Sequence, residues 1–211
     1  MNDLATELAA HPHGRVPRAL RERQVLALAG ELFAERGYAG ASMDELATRA
    51  GVSKPVIYDL VGSKEELFRR CVDAAATDLY GRVAQAVAET DGPEPQLRAG
   101  ANAFFSWAAE HRRSWGMMFA DGGGEFARDA ARVRARQTEL VISTLTEGAF
   151  NLGVTVDKQQ IEAGAYMING AFESLAHWAT ERPEISPATL SDWLVALLLP
   201  GLQRLAGQSA R

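Results

Sequence analysis

Along the first third of the chain, apolar residues recur at helical spacing and are cut into short runs by glycine and serine. Val25, Leu26, Leu28, Ala29, Leu32 and Phe33 share a face of a helix predicted over 18–36, and Gly37 stands where a left-handed residue ends such a run. The next segment, Ser42-Met-Asp-Glu45, has the spacing of a capping box. Ser42 is expected to accept from the Glu45 N–H while the Glu45 carboxylate returns to the Ser42 N–H, starting a helix over 43–50. Gly51 then supplies a turn, Val52 an apolar plug, and Ser53 an N-cap for a second short helix from Lys54 to Leu60. Pro55 sits in its first turn, where a missing N–H costs nothing. Gly62-Ser63 ends that helix and caps the next, with Glu66 three residues on, and a long apolar periodicity follows over 64–90.

After Asp91-Gly-Pro-Glu-Pro95 the pattern stays helical. Runs are predicted over 96–111, over a short piece holding Trp115, Met117, Met118 and Phe119, then over 125–152, 157–180 and 187–205, with a break at Gly122–Gly124. Alternation with period two is nowhere sustained, so the fold class is all-α. Residues 1–17, with Pro12, Pro17 and Gly14, read as a loose arm. His11 and His13 lie on it without a partner cysteine or acid pair, which makes a solvated tail the expectation and a metal site the rival.

Composition narrows the class. The 211 residues are 47% hydrophobic with a mean hydropathy of -0.14, enough for a sizeable core. The single cysteine, Cys71, forms no internal disulfide, and neither a membrane span nor a secretory leader is legible, so a soluble cytoplasmic protein is expected. The net charge of -5 argues against a polyanion partner until it is divided. Residues 11–70 hold ten Lys/Arg against eight Asp/Glu, whereas 71–211 hold twelve against seventeen. The weak positive excess therefore coincides with the short helices, where local field and direct contacts decide affinity for phosphate.

Two helices of seven or eight residues with a tight glycine turn between them, backed by a longer one, match a helix-turn-helix whose second short helix enters the major groove. On that helix Pro55 and Val56 offer surface for a thymine methyl, Lys54 and Tyr58 reach phosphate or base edges, and Ile57 points inward. Ser42, Ser53 and Lys64 stand at helix N-termini suited to phosphate, although Ser42 and Ser63 taken alone are also plain caps. Thr48 and Arg49 are placed to touch the DNA backbone. Asp59 either accepts from a cytosine N4 or repels phosphate.

The same segments, LFAERGYAG at 32–40, SMDELATRAGVSKPVIY at 42–58 and GSKEELF at 62–68, resemble the N-terminal signature of the TetR-type bacterial transcriptional regulators. The resemblance covers about residues 20–70, with agreement beyond that only in helix number and length. It implies a phosphate contact for Tyr58, a backbone contact for Lys64, and binding of double-stranded operator DNA as part of a dimer. The chain departs from the signature at Asp59-Leu60-Val61, where an aromatic or histidine after the tyrosine and a phenylalanine before the Gly-Ser-Lys segment are usual. Val61 keeps the apolar plug with less volume.

The expected organisation is a DNA-binding domain at 18–62 and an effector-binding and dimerisation domain at 63–206. In the second, Phe104, Phe105, Trp107, Trp115, Met118, Phe119 and Phe126, joined by Tyr166 and Trp178, either line a cavity for an apolar or amphipathic small molecule or fill a core. Arg128, Arg132 and Arg136, four apart, either border that cavity or form a solvated face. Gly164, Ala165, Gly170 and Ala171 with Trp193, Leu194, Leu197, Leu198 and Leu202 suggest a homodimer through the last two long helices, and the two-fold axis implies an inverted-repeat operator. The functional expectation is a ligand-released transcriptional repressor with no cofactor, no metal, no membrane partner and no enzymatic activity. The rivals are a helical-bundle enzyme, against which no Glu-x-x-His, His-Glu-x-x-His or glycine-rich phosphate loop is present, and a scaffold without DNA binding.

Overall fold

The structure, a computed structural model, describes residues 2–11, 16–119, 127–151, 153 and 155–208; among them the regular elements are all helices. In chain order they are α1 (Asn2–Ala9), α2 (Arg18–Gly40), α3 (Met43–Ala50), α4 (Lys54–Val61), α5 (Lys64–Ala88), α6 (Pro93–Glu110), α7 (Arg112–Phe119), α8 (Ala127–Asn151), α9 (Lys158–Ala179) and α10 (Pro187–Gln208). The chain divides into two compact units: residues 1–75 with 116–118, and residues 76–115 with 119–211. The continuous helix α5 contributes residues to each.

In the first unit α2 is the backing element. Val25, Ala29, Leu32 and Phe33 are buried on one face, and against them pack Met43, Leu46, Ala47 and Ala50 of α3 and Ile57, Leu60 and Val61 of α4. An eight-residue helix is too short to persist alone, so burial of these faces is what holds α3 and α4. The Phe68 ring stands edge-on to Phe33 and Tyr38, with centroids 5.1 and 5.2 Å away. Gly37 adopts φ 68°, as its position predicts, but one further helical turn follows before Ala41 closes it by donating its N–H to the Gly37 carbonyl at 3.2 Å.

One expectation for this unit is corrected. Residues 2–9 form a helix instead of a loose arm, packed on α2 and tied by a 2.7 Å ion pair between Glu7 and Arg23. Its alternating Leu and Ala positions were too few to stand out from a polar tail. Pro12, His13 and Gly14 lie outside the described residues.

The second unit packs α6 against α10, α8 against α9, and α9 against α6 and α10. Phe104 meets Phe105, Trp115 and Phe172 edge-on at 5.6, 5.4 and 4.9 Å, and Phe105 stacks on Phe172 at 5.5 Å. Each buried side chain of this size contributes about 1.5–3 kcal/mol. The Trp107 indole N–H donates to Asp78 at 2.7 Å, and the His111 ring stacks on that indole. Gly100 eases the close approach of α6 to α5, since a Cβ there would lie 3.1 Å from Val87 and push that side chain aside by a few tenths of an ångström.

Candidate nucleic-acid interface

The turn between α3 and α4 is closed by Gly51 at φ 66°, ψ 34°, with Gly51 N–H bonded to Thr48 O at 3.2 Å and Val52 N–H to Ala47 O at 3.1 Å. This paired arrangement is a Schellman motif, and only a left-handed residue makes it without strain. It fixes the angle at which the backbone enters α4.

Two expected caps are formed differently. Ser42 Oγ accepts from the Asp44 N–H at 3.2 Å and not from Glu45, whose carboxylate bonds Arg49 at 2.6 Å. A charge-assisted bond to a guanidinium outcompetes a return bond to a neutral backbone N–H. Ser53 makes no side-chain cap bond. An N-cap oxygen bonds the second or third N–H of its helix, and the second residue of α4 is Pro55, which has none. The cap on α5 is as expected, with Ser63 Oγ accepting from the Glu66 N–H at 3.1 Å. The Glu66 carboxylate folds back over Gly62, where φ is 74° and a Cβ would lie 2.3 Å from Oε2.

Helix α4 buries Ile57, Leu60 and Val61 and leaves Lys54, Pro55, Val56, Tyr58 and Asp59 exposed. Val56 and Tyr58 are 40% and 44% exposed, an apolar-aromatic surface with no intramolecular reason to face water. Ser42 and Thr48 are exposed at the two ends of α3, with the Thr48 hydroxyl donating to Asp44 O at 3.0 Å.

The cations around this surface are held. Lys54 Nζ lies 2.8 Å from Asp44, whose hydrogen bond and charge raise the ammonium above the usual lysine range. Arg49 bridges Glu35 and Glu45 at 2.8 and 2.6 Å, and their hydrogen bonds raise it further above the ordinary arginine range. Lys64 Nζ sits 4.6 Å from the Tyr38 ring centroid. Arg18 donates to the Asp59 carboxylate and to the Asp59 carbonyl, each at 2.6 Å.

The second candidate set separates. Phe104, Phe105, Trp107, Trp115 and Met118 are buried, whereas Tyr166 and Trp178, at 63% and 40% exposed, stand on the outer face of α9 and do not join the rings. Gly164 and Ala165 face inward on α9, whereas Gly170, five residues beyond Ala165 and so turned to another face, is exposed. Phe126 and Gly122–Gly124 lie outside the described residues, as do the side chains of Phe119 and Arg128. Arg132 and Arg136 are exposed, and Arg136 donates to Thr77 Oγ1 at 3.2 Å. A shallow notch lined by Phe105, Ala108, Arg112, Ala176, Ile185 and Leu190 has about 20 Å³ of room, one or two waters in size.

Residues 25–71 match the sequence model of bacterial regulatory proteins of the tetR family. A TetR-like transcriptional regulator from Rhodococcus sp. RHA1, known as a crystal structure, is 32% identical over 90% of this chain and 99% of its own, with a TM-score of 0.69. The chain belongs to the TetR family. The transcriptional activator FasR of Mycolicibacterium smegmatis is 35% identical over 138 residues, 65% of this chain and 61% of FasR. The transcriptional regulator EthR of Mycobacterium tuberculosis is 38% identical over 96 residues, 44% of each chain. The alignments thus span less than two thirds of FasR and of EthR.

Within this TetR-family chain, sequence reasoning missed the partners of the interface residues: Arg18 for Asp59, Asp44 for Lys54, and Tyr38 for Lys64. A period-based reading carries no signal for pairs ten to forty-one residues apart. Of the three, only Tyr38 stands beside a position that the sequence singles out, Gly37.

Proposed function

We propose that the chain is a sequence-specific DNA-binding regulator of transcription that docks α4 in the major groove of operator DNA. The observation that carries this reading is the exposed run Lys54, Pro55, Val56, Tyr58 and Asp59 on a short helix whose opposite face is wholly buried. Tyr58 and Lys64 are assigned to phosphates, Val56 and Pro55 to base edges, and Ser42, Ser53 and Thr48 to flanking backbone. Arg49, already spanned by two carboxylates, is the weakest member of the set.

The proposed assembly is a homodimer through α9 and α10. Its support is the outer surface of these helices, where Tyr166, Met167, Trp178, Trp193 and Leu197 are 40 to 80% exposed. Such a concentration of large apolar groups in water marks an association surface. A two-fold dimer matches an inverted-repeat operator.

The proposed control is by an apolar or amphipathic small molecule in the second unit. Its support is the cluster of Phe104, Phe105, Trp115 and Phe172 on the same unit as a buried Asn169 whose Oδ1 has no hydrogen-bond partner among the described residues. With little open room, an occupant has to displace side chains, and it changes DNA affinity only by preferring one of two conformations. The domains at 18–62 and 63–206 carry these two roles. The proposed output is repression by occlusion of a promoter; FasR is an activator, so a promoter reporter in a deletion strain reads the sign.

The deciding experiment is fluorescence anisotropy with a duplex from immediately upstream of the gene and a scrambled control at several salt concentrations. Binding that favours the upstream duplex by about a thousandfold supports a sequence-specific regulator. Equal weak binding there, together with failure of binding-site selection from a random pool, would leave a scaffold that has lost DNA recognition.

A further inference from the structure

Asp59 is the residue of α4 that fits least well with a phosphate partner, and its surroundings address that misfit. It lies in the last turn of α4, where carbonyls lack intrahelical donors and a negative side chain opposes the helix dipole. No basic residue occurs in the last turn of α4. The missing cation comes instead from forty-one residues upstream: Arg18, the first residue of α2, donates one N–H to Asp59 Oδ2 and another to the Asp59 carbonyl, each at 2.6 Å.

The two side chains are 63% and 69% exposed, so the pair adds little to folding stability. What it does fix is position. A long, flexible arginine is held at two points on Asp59, the residue that follows the exposed Tyr58 on α4, with two of the five N–H donors of a guanidinium used. Guanidinium binds phosphate and carboxylate through the same fork geometry.

We infer that Arg18 is a DNA-phosphate contact lying outside α4, and that Asp59 is its positioning residue. This rests on the DNA-binding reading above and adds a residue to it. Asp59 then strengthens binding through Arg18, although its own charge opposes phosphate. The two residues should therefore be coupled: Asp59 helps when Arg18 is present and hinders when it is absent.

The test uses the full-length protein, Arg18→Ala, Asp59→Asn, the double variant and Arg18→Lys, titrated by anisotropy against the upstream and scrambled duplexes over a salt series. Arg18→Ala is expected to lose about five- to tenfold in affinity for both duplexes, and its slope of log K against log salt to fall by about one. Arg18→Lys recovers part of the slope without the two-point grip. Asp59→Asn weakens binding in the native background and tightens it in the Arg18→Ala background. Native binding with an unchanged slope in Arg18→Ala overturns the inference alone, as does an Asp59→Asn effect of one sign in both backgrounds. Absence of salt-dependent binding by the native protein overturns it together with the DNA-binding reading. Circular dichroism melts of all variants should coincide, and a lowered melt for Arg18→Ala would assign its effect to folding instead.

Discussion

Lys54 Nζ lies 2.8 Å from the Asp44 carboxylate, so the first turn of α4 is tied to the first turn of α3 by the same ammonium that phosphate would require. In the docking proposed above, phosphate competes with Asp44 for this ammonium. Replacing Asp44 by Asn removes the competitor: affinity for any duplex should rise severalfold at low salt with a steeper salt slope, while the thermal melt falls only slightly, by the loss of an acid from the first turn of α3. An Asp44→Asn protein that binds more weakly would show that the ion pair presents Lys54 to the DNA.

Lys64 and Tyr58 should act on affinity without acting on sequence preference. Lys64→Ala is expected to lower the salt slope by about one, and Tyr58→Phe to weaken operator and scrambled duplexes by similar factors. Val56→Ala, by contrast, should change preference at one base pair, because an apolar contact to a thymine methyl carries sequence information. Binding-site selection with each variant distinguishes the two classes.

Cys71 is buried, and desolvation pushes its thiol up to about 12. It is protonated at neutral pH and should remain inert to a disulfide reagent until urea unfolds the first unit. The linkage has a definite sign. Well below pH 9 the thiol is neutral in both states and contributes no pH dependence. Between its ordinary value of 9.0 and about 12 the unfolded chain ionises first, so this group makes stability fall as pH rises. Urea melts of native protein and Cys71→Ala across that range should converge at the alkaline end.

Leu197 is 80% exposed and Trp193 48% exposed on α10, on the face opposite the buried Leu194 and Val195. Leu197→Arg should halve the mass measured by light scattering at micromolar concentration and reduce operator affinity more than affinity for a half-site duplex. The melt of each protomer should be little affected, since the residue is 80% exposed in the single chain. An unchanged mass would place the dimer surface elsewhere.

Helix content and order were legible from apolar spacing because 3.6-residue periodicity is local: the ends of α5, α8, α9 and α10 fall within a few residues of the predicted ones. Gly37, Gly51 and Gly62 were legible for the same reason, each adopting the positive φ that its place after a helical run calls for. The capping of Ser42 and Ser53 does not follow from the S-x-x-E and serine spacing alone, which leaves out Arg49 as the rival partner of Glu45 and the N–H that Pro55 lacks. The grouping of the aromatics exceeded the sequence: nearness along the chain suggested one cluster, but Tyr166 and Trp178 point the other way.

The sequence by itself determined that this protein is helical, where its short helices begin and turn, and which residues α4 leaves exposed, because spacing, glycine and serine act within a few residues of themselves. Tertiary structure alone decided which charges meet between helices: Arg18 with Asp59, Asp44 with Lys54, and Arg49 with Glu35. Those pairs depend on where separate helices come to rest against one core, and no local rule of the chain encodes that.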